Sequence, residues 1–306
     1  MSAEGSKKAI VAALLANAGI AAAKFVGFAI TGSSSMLAEG VHSVADTSNQ
    51  GLLLLGQNRA AKAADKLHPF GYGRARYFYS FVVALVLFTL GSLFALYEGY
   101  EKITHADDHA LTSPQVAVVI LVVAIGLESY SFATAYRESK PLKGDATWWQ
   151  FIRNSRTPEL PVVLLEDTGA LIGLVLALGG VGLTVITDNA VWDGVGTVAI
   201  GVLLGIIAIV LIVEMKSLLI GEGATEAEET AIVGALESAA GVERVIHLKS
   251  QYLGPDELLV AAKIAIPSGS DALHIAAAID DAESRIREAV PQARVIYLEP
   301  DIDRGV

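Results

Sequence analysis

The sequence predicts an α-helical membrane protein with six transmembrane helices, followed by a small C-terminal α+β domain. Of its 306 residues, 53% are hydrophobic and only 18% are charged. The apolar residues occur in runs of roughly 20, the length that a helix needs to cross a bilayer. After residue 220 these runs give way to short amphipathic segments. We therefore expect a transmembrane domain over residues 1–220 and a soluble domain over residues 221–306.

Hydropathy places the six spans at about residues 9–31, 35–57, 77–100, 113–136, 160–186 and 192–215. Lys and Arg cluster before the first span, between the second and third, between the fourth and fifth, and after the sixth, whereas the opposite loops hold Lys102 alone. This bias predicts that both termini are cytoplasmic in a multi-pass protein of the cell membrane, in contact with lipid. The first apolar run has full length and no small-residue cleavage site, which favours a retained span.

The soluble domain begins with a predicted helix at residues 225–240, where Thr225 and Glu228 form a capping-box pattern. Alternating patterns at 245–252 and 258–266 predict two strands. A second amphipathic helix at 271–289 and a closing strand at 293–298 complete the order α-β-β-α-β. This order fits an open-faced sheet covered by two helices.

Composition excludes several classes of function. Cysteine is absent, so disulfides, iron–sulfur clusters and thiolate metal sites are excluded. From Gly221 onward there are 16 acidic and 7 basic residues, a balance that disfavours nucleic-acid binding. No nucleophile–base pair or phosphate-binding glycine loop stands out, and we therefore predict that the protein is not an enzyme.

A polar stretch interrupts the second span. Six of its side chains fall within roughly a third of the helix circumference: Glu39, His42, Ser43, Asp46, Asn49 and Gln50. Because ionisable residues inside a membrane are costly, such a face indicates a metal or proton site. His42 and Asp46, four residues apart, can hold one ion from one helix. Glu39 is assigned to the exit path of the ion. Asn49 and Gln50 are assigned to the cytoplasmic side, where hydrated ions arrive.

Two ligands do not complete a metal site, so the others are expected from other spans at similar depth. The internal acids that fit are Glu128 in the fourth span and Glu166 and Asp167 in the fifth. An acidic pair near a helix entrance can reflect the helix dipole alone. These two lie about two turns in, among apolar residues, which favours a functional role. Imidazole and carboxylates without thiol suit Zn²⁺, Co²⁺, Mn²⁺, Fe²⁺ or Cd²⁺.

Polar residues in three further segments of the chain are also assigned. In the first span, Asn17 is assigned to the pathway, and Lys24 on the same face is expected to neutralise a neighbouring carboxylate, with a direct part in transport as the alternative. Asp65 and His68 form either a weak cytoplasmic metal site or part of a turn whose basic residues meet lipid headgroups. The segment from His105 to His109 is predicted to be a solvated loop rather than a metal site.

Two motifs resemble the cation diffusion facilitator family. One runs from Thr31 through Ala38-Glu39-Gly40-Val41-His42 to Asp46, and the other is His68-Pro69-Phe70-Gly71-Tyr72-Gly73-Arg74-Ala75-Arg76. The resemblance implies a dimer, a cytoplasmic ferredoxin-like domain and efflux of divalent metal in exchange for protons. It also implies a transport site that joins His42 and Asp46 with two residues of the fifth span.

The chain departs from the family pattern at several positions. Asp167 matches the acid of the fifth-span motif, but Val163 stands where the family has His. This is similar to the branch related to mitochondrial zinc carriers, in which a Glu-Asp pair occupies this place. Tyr72 replaces the third residue of the loop site. Glu243 and Tyr297 fall where the soluble domain usually has His, so we expect no binuclear zinc centre there.

The predicted function is a secondary transporter that exports divalent transition-metal cations by alternating access, with Zn²⁺ preferred and protons as counter-substrate. Metal ligands must lose protons to bind, which gives protons a direct route to displace the ion. Two alternatives remain: an exporter of Mn²⁺, Fe²⁺, Co²⁺ or Cd²⁺ with the same fold, and a membrane-anchored metal sensor without flux. His42 favours zinc, whereas the oxygen-rich ligand set favours Mn²⁺ or Fe²⁺. The fourth ligand is either Glu128 or Glu166.

Overall fold

The structure is a computed structural model that describes the backbone of residues 3–105 and 114–302. Within the first helix, side chains are described from Asn17 onward. Most of the segment from His105 to His109 lies outside the described residues, so its prediction as a solvated loop stays a prediction.

Helices dominate the first 220 residues. They are α1 (Ala3–Thr31), α2 (Ser34–Ala60), α3 (Ala75–Val86), α4 (Phe94–Thr104), α5 (Pro114–Lys143), α6 (Trp148–Asn154), α7 (Glu159–Thr187) and α8 (Val191–Ile220). A π-helical segment, Leu87–Leu93, joins α3 to α4, so that Ala75–Thr104 forms one continuous helix.

Four helices in the described part of the chain are long and apolar enough to cross a membrane. They are Ala75–Thr104, Gln115–Lys143, Glu159–Thr187 and Val191–Ile220. The described part of α1 contributes a shorter apolar stretch, Asn17–Thr31. α2 is long enough to span but carries too many polar residues on one face to qualify by hydropathy. The protein is thus a helical membrane protein with four clearly apolar helices, and the count of six spans stays a prediction.

Small residues bring the long helices into close contact. α7 packs against α5, and α5 packs against α1. Between α7 and α8, a Cβ placed on Gly196 would lie 3.2 Å from the Cα of Gly180 and 3.1 Å from the carbonyl oxygen of Leu176. Without side chains at these two positions the backbones can approach closely, as is common between membrane helices.

The turn between α1 and α2 is fixed by a carboxylate from α8. Gly32 adopts a left-handed conformation with φ of +66°. Ser33 Oγ donates to Asp193 Oδ1 at 2.9 Å, and the backbone N–H of Ser34 donates to Asp193 Oδ2 at 2.8 Å. Asp193 is fully buried and caps the N-terminus of α2 from a neighbouring helix. This junction anchors the start of the helix that carries the predicted metal face.

The chain forms two compact units. One comprises residues 1–56 and 78–215, and the other residues 57–77 and 216–306. The second unit includes the loop between α2 and α3, which the sequence had assigned to the transmembrane domain. The predicted boundary at residue 220 stays a prediction.

Within the second unit, helices and strands follow the predicted order helix-strand-strand-helix-strand. The elements are α9 (Glu226–Glu237), β1 (Arg244–Gly254), β2 (Glu257–Ala265), α10 (Ala272–Ala289) and β3 (Ala293–Asp301). β2 is central, pairing antiparallel with β1 and parallel with β3. Ile232 of α9 and Ile286 of α10 pack with Val260 and Ile264 of β2 in one core. The protein therefore has a small C-terminal sheet domain, and its assignment as ferredoxin-like stays a prediction.

The loop 57–77 touches the sheet of the same unit through backbone. A Cβ on Gly73 would lie 2.7 Å from the carbonyl oxygen of Leu253, and one on Gly254 would lie 2.7 Å from the Cα of Gly73. Arg76 Nη1 donates to Asp256 Oδ2 at 2.9 Å beside this contact. Gly73 of the His68–Arg76 motif thus has a packing role.

Candidate metal site

The polar face of α2 points into the helical unit, as the sequence predicted. Glu39, His42 and Asn49 are fully buried, and Asp46 and Gln50 are mostly buried. Val44, on the opposite face, is 42% exposed. The helix therefore has an inward polar stripe and an outward apolar face.

Five of the six side chains in this stripe have at least one buried polar atom without a hydrogen-bond partner among the described residues. The unpartnered buried atoms are Glu39 Oε1, both ring nitrogens of His42, Asp46 Oδ1, Asn49 Oδ1 and Gln50 Oε1. Buried polar atoms are normally satisfied, so a row of five such side chains on one helix face calls for a chemical explanation. Every oxygen in the row carries lone pairs, and a neutral imidazole adds one nitrogen lone pair. The row is therefore equipped to bind a cation or water.

His42 and Asp46 form the pair at the centre of the stripe. His42 Nε2 lies 3.6 Å from Asp46 Oδ2, within ion-pair range but too far for a hydrogen bond. The side chain of Asp46 is 15% exposed. The predicted i,i+4 pair is thus brought together, and both ring nitrogens of His42 and Asp46 Oδ1 have no hydrogen-bond partner in the described part of the chain.

A glycine of the π-helical segment lies beside His42. A Cβ on Gly91 would come within 3.9 Å of His42 Nδ1 and 3.2 Å of Leu204 Cδ1. Ser92, the next residue, donates to the carbonyl oxygen of Gly201 at 2.8 Å. π-Helical turns are rare and often occur at functional sites. Hydropathy gives no signal for this feature, and the sequence analysis missed it.

The two adjacent acids of α7 turn to different neighbours. Glu166 is buried, and its Oε1 accepts a 2.7 Å hydrogen bond from Asn49 Nδ2 of α2. Asp167 is half-buried, and its Oδ2 accepts a 3.1 Å hydrogen bond from Ser131 Oγ of α5. Consecutive residues on a helix point about 100° apart, which explains the division. The Glu-Asp pair thus links α7 to both α2 and α5.

Glu128 completes the group from α5. Its side chain is 6% exposed, one turn before Ser131. It interacts electrostatically with His42 and Asp46 of α2, and Asp167 interacts with both Glu128 and Asp46. The predicted ligands on three helices therefore lie within mutual electrostatic range.

These ligands are not gathered into a closed shell. Among the described side chains, those of residues 17–105 and 115–302, no three from His, Asp or Glu are close enough together to hold one metal ion. His42 and Asp46 form one pair, while Asn49 and Ser131 hold Glu166 and Asp167. Ser131 was missed by the sequence analysis, although its spacing of three from Glu128 places both on one face of α5. Val163 is half-buried one turn before Asp167, where no imidazole is available.

The remaining pathway residues are placed as follows. Asn17 is half-buried on α1. Lys24, on the same helix, is fully buried and contacts α2 rather than extending to the membrane surface. The neutralising role predicted for Lys24 is therefore consistent with its contacts.

In the loop, Asp65 is occupied by protein donors. Its Oδ1 accepts from the backbone N–H of Leu67 and of His68, at 3.0 and 2.8 Å. Its Oδ2 accepts from Tyr72 Oη at 2.7 Å and from Lys62 Nζ at 3.0 Å. The hydrogen bond from Tyr72, with those from His68 and Lys62, holds the pKa of Asp65 well below its usual range.

His68 Nδ1 lies 3.6 Å from Asp65 Oδ1, and its ring packs on that of Tyr72 with centroids 4.3 Å apart. Protein donors thus bond both carboxylate oxygens of Asp65, including Oδ1, the oxygen that lies near His68. Of the two interpretations left open by the sequence, this arrangement favours the structured turn over a metal site.

The fold and the buried charges define a class: helical membrane proteins with an ionisable polar face buried between their helices. The family model described as the cation efflux transmembrane domain matches residues 10–220. The chain belongs to the cation diffusion facilitator family of metal cation transporters and is related to its mitochondrial zinc carriers.

The chain is similar in sequence to several named proteins. The chain is 31% identical over 264 residues to the mouse (Mus musculus) proton-coupled zinc antiporter SLC30A9, mitochondrial, covering 85% of this chain and 46% of the relative. It is 30% identical over 263 residues to metal tolerance protein C4 of Arabidopsis thaliana, covering 85% and 57%. It is 28% identical over 249 residues to magnetosome protein MamM of Magnetospirillum gryphiswaldense, covering 76% and 68%. The chain thus spans about half the length of the first of these.

Proposed function

We propose that the protein exports divalent transition-metal cations, with Zn²⁺ preferred, in exchange for protons by alternating access. The observation that carries this proposal is the row of unpartnered buried lone-pair donors on α2, facing acids from α5 and α7. Such a row favours a passing cation, because each position can replace part of the hydration shell. The naming of the SLC30A9 relatives as proton-coupled zinc antiporters supports the same choice.

The ligand set that we propose is His42, Asp46, Asp167 and Glu128. Glu128 is preferred over Glu166 as fourth ligand because the amide of Asn49 already holds Glu166, one turn along α2 from Asp46. In this scheme Glu166, Asn49 and Gln50 receive the ion at the cytoplasmic side, and Glu39 lies on the way out. Bringing Asp167 and Glu128 onto the His42–Asp46 pair requires movement of α5 and α7 relative to α2.

Protons are the proposed counter-substrate because every ligand in the set also binds protons. A metal ion and a proton compete for the same carboxylate and imidazole lone pairs, so each can displace the other. The three carboxylates of the ligand set also carry more negative charge than one divalent ion neutralises. Proton binding to the site limits this excess charge inside the membrane.

Topology and assembly form part of the proposal. α1 and α2 would supply two further spans, making six, since α2 turns its polar atoms inward and its apolar face outward. The Lys and Arg distribution supports cytoplasmic termini and a place in the cell membrane. A homodimer and a ferredoxin-like cytoplasmic domain follow the family resemblance.

Zinc flux into proteoliposomes tests this function. Purified protein should carry Zn²⁺ across the bilayer, and Asp46→Ala with Asp167→Ala should abolish the flux. Asp145→Asn, at an exposed acid in the turn before α6, is the matched control and should retain it. Zinc binding without flux in the wild-type protein would instead indicate the sensor alternative.

A second substrate class is favoured by one observation. One imidazole with three carboxylates is richer in oxygen than most zinc sites, and oxygen ligands suit Mn²⁺ and Fe²⁺. Competition of Mn²⁺ and Fe²⁺ against Zn²⁺ in the same assay ranks the metals directly.

A further inference from the structure

A lysine is buried beside the proposed metal pathway. Lys24 of α1 has no exposed surface. Its Nζ donates to Glu39 Oε2 at 3.0 Å and to Ser43 Oγ at 2.7 Å. Both partners belong to α2 and flank His42 in sequence. The ammonium is therefore held inside the polar stripe rather than at the membrane surface, where lysine side chains usually place their charge.

The charge of Lys24 reaches the proposed ligands. It interacts electrostatically with His42, Asp46 and Glu128. A positive charge this close repels a divalent cation, and the effect is strong because little water is present to screen it. The ion pair with Glu39 compensates part of the cost of burying this charge.

Glu39 is held by one oxygen only. Its Oε2 bonds Lys24, whereas its Oε1 lacks a hydrogen-bond partner among the described residues. Oε1 points at α7, where a Cβ on Gly173 would lie 2.6 Å away. One lone-pair-rich oxygen thus remains open to a cation, at a point where α2 and α7 meet without a side chain between them.

We propose that Lys24 is a fixed cation that sets the metal affinity of the transport site and drives release of the ion past Glu39. This inference rests on the proposed transport function. With its charge in place, the site binds a divalent ion loosely enough to let it leave. By bonding Oε2, Lys24 also prevents Glu39 from binding the ion tightly on the exit path.

Opposite shifts in zinc affinity are the signature of this role. At pH 8, calorimetry should give a Kd for Lys24→Gln lower than that of the wild type by about tenfold or more. Glu39→Gln leaves the positive charge unbalanced and should raise the Kd by a similar factor. The double variant removes both charges and should return the Kd to within about threefold of the wild type. Lys24→Arg keeps the charge and should also stay close to wild type.

Flux adds a readout that a purely structural role would not move. In proteoliposomes, Lys24→Gln should lower both KM and kcat for zinc, since tighter binding slows release. A general folding defect would instead raise the Kd of both single variants, and shifts in one direction overturn the proposal. If Lys24→Gln does not fold, Glu39→Gln still tests the role of Lys24: a zinc Kd like that of the wild type overturns the proposal. Absence of zinc binding in the wild-type protein is a different result, because it would refute the proposed transport function itself.

Discussion

Asn49 of α2 donates a 2.7 Å hydrogen bond through its side-chain amide to the carboxylate of Glu166 on α7. Both side chains are buried, and the bond joins the helix of the His42–Asp46 pair to the helix of the Glu-Asp pair. A buried carboxyl oxygen that loses its hydrogen-bond donor bears the full cost of its desolvation. The bond therefore fixes which of the two adjacent acids faces α2.

Replacing this amide should destabilise the helical unit. Asn49→Ala leaves the buried Glu166 without its donor, and we expect a loss of roughly 1–3 kcal/mol in the free energy of unfolding. Denaturant unfolding of the purified protein measures this loss. Asn58→Ala removes an exposed amide further along the same helix and should change stability little. Equal losses of stability in the two variants would show that the hydrogen bond to Glu166 does not stabilise the helical unit.

Glutamine substitutions should distinguish the two candidates for the fourth ligand. Glu128→Gln should weaken zinc binding by about 100-fold or more, because an amide oxygen is a much poorer ligand than a carboxylate. Glu166→Gln should raise the Kd by only about tenfold, the lower end of the range for a residue that supports the ligands without binding the metal. Metal-competition calorimetry on the two variants decides between them, and the reverse ranking would make Glu166 the ligand.

Restoring an imidazole at residue 163 should shift metal preference. His at this position lies one turn before Asp167, so Val163→His offers a nitrogen ligand to the same ion. Nitrogen ligands favour zinc over manganese. We expect the ratio of Mn²⁺ to Zn²⁺ dissociation constants to rise by at least about tenfold. Val163→Leu is the control: it changes the side-chain volume without adding a metal ligand, so the ratio of dissociation constants should stay unchanged. A similar rise of the ratio in both variants would show that coordination by the imidazole is not the cause.

The contact between the loop 57–77 and the sheet should tolerate no side chain. Gly73→Ala places a Cβ 2.7 Å from a backbone oxygen, and neither group can move without a backbone shift. We expect a loss of about 1–3 kcal/mol in stability. Gly234→Ala on α9 meets nothing within 4 Å and should be neutral or mildly stabilising. Unfolding of the two variants, side by side, tests whether this contact exists.

The turn around Asp65 should weaken in acid. Its hydrogen bonds lower the pKa of Asp65, so the folded form binds its proton less readily than the unfolded form. The stabilisation is complete above the ordinary pKa of a carboxyl group and is lost as the pH falls towards the lowered pKa. Hydrogen exchange of the 57–77 loop should therefore be faster in Asp65→Asn than in the wild type at pH 7. The difference should shrink on acidification, whereas Asp280→Asn, at an exposed acid of the same unit, should show neither effect.

Periodicity was enough to predict the inward face of α2 and the order of elements in the soluble domain. Both depend on local patterns, in which His42 and Asp46 share a face and strands alternate. The partners of Asp167 and Lys24 could not be predicted in this way, since Ser131 and Ser43 are ordinary residues whose role comes from helix packing. The π-helical segment has no hydropathy signature at all. The sequence could not decide whether Asp65 belongs to a metal site or to a turn. Its backbone donors, Leu67 and His68, are identified only by the three-dimensional structure.

Coupled movement of zinc and protons tests the central proposal most directly. Proteoliposomes with an acidic lumen and equal Zn²⁺ on both sides should accumulate zinc when the protein is present, and an internal pH dye should report alkalinisation in step with uptake. The double substitution Asp46→Ala with Asp167→Ala should abolish both signals. Zinc uptake that neither responds to the pH gradient nor moves protons would contradict the account, as would uptake that survives the double substitution.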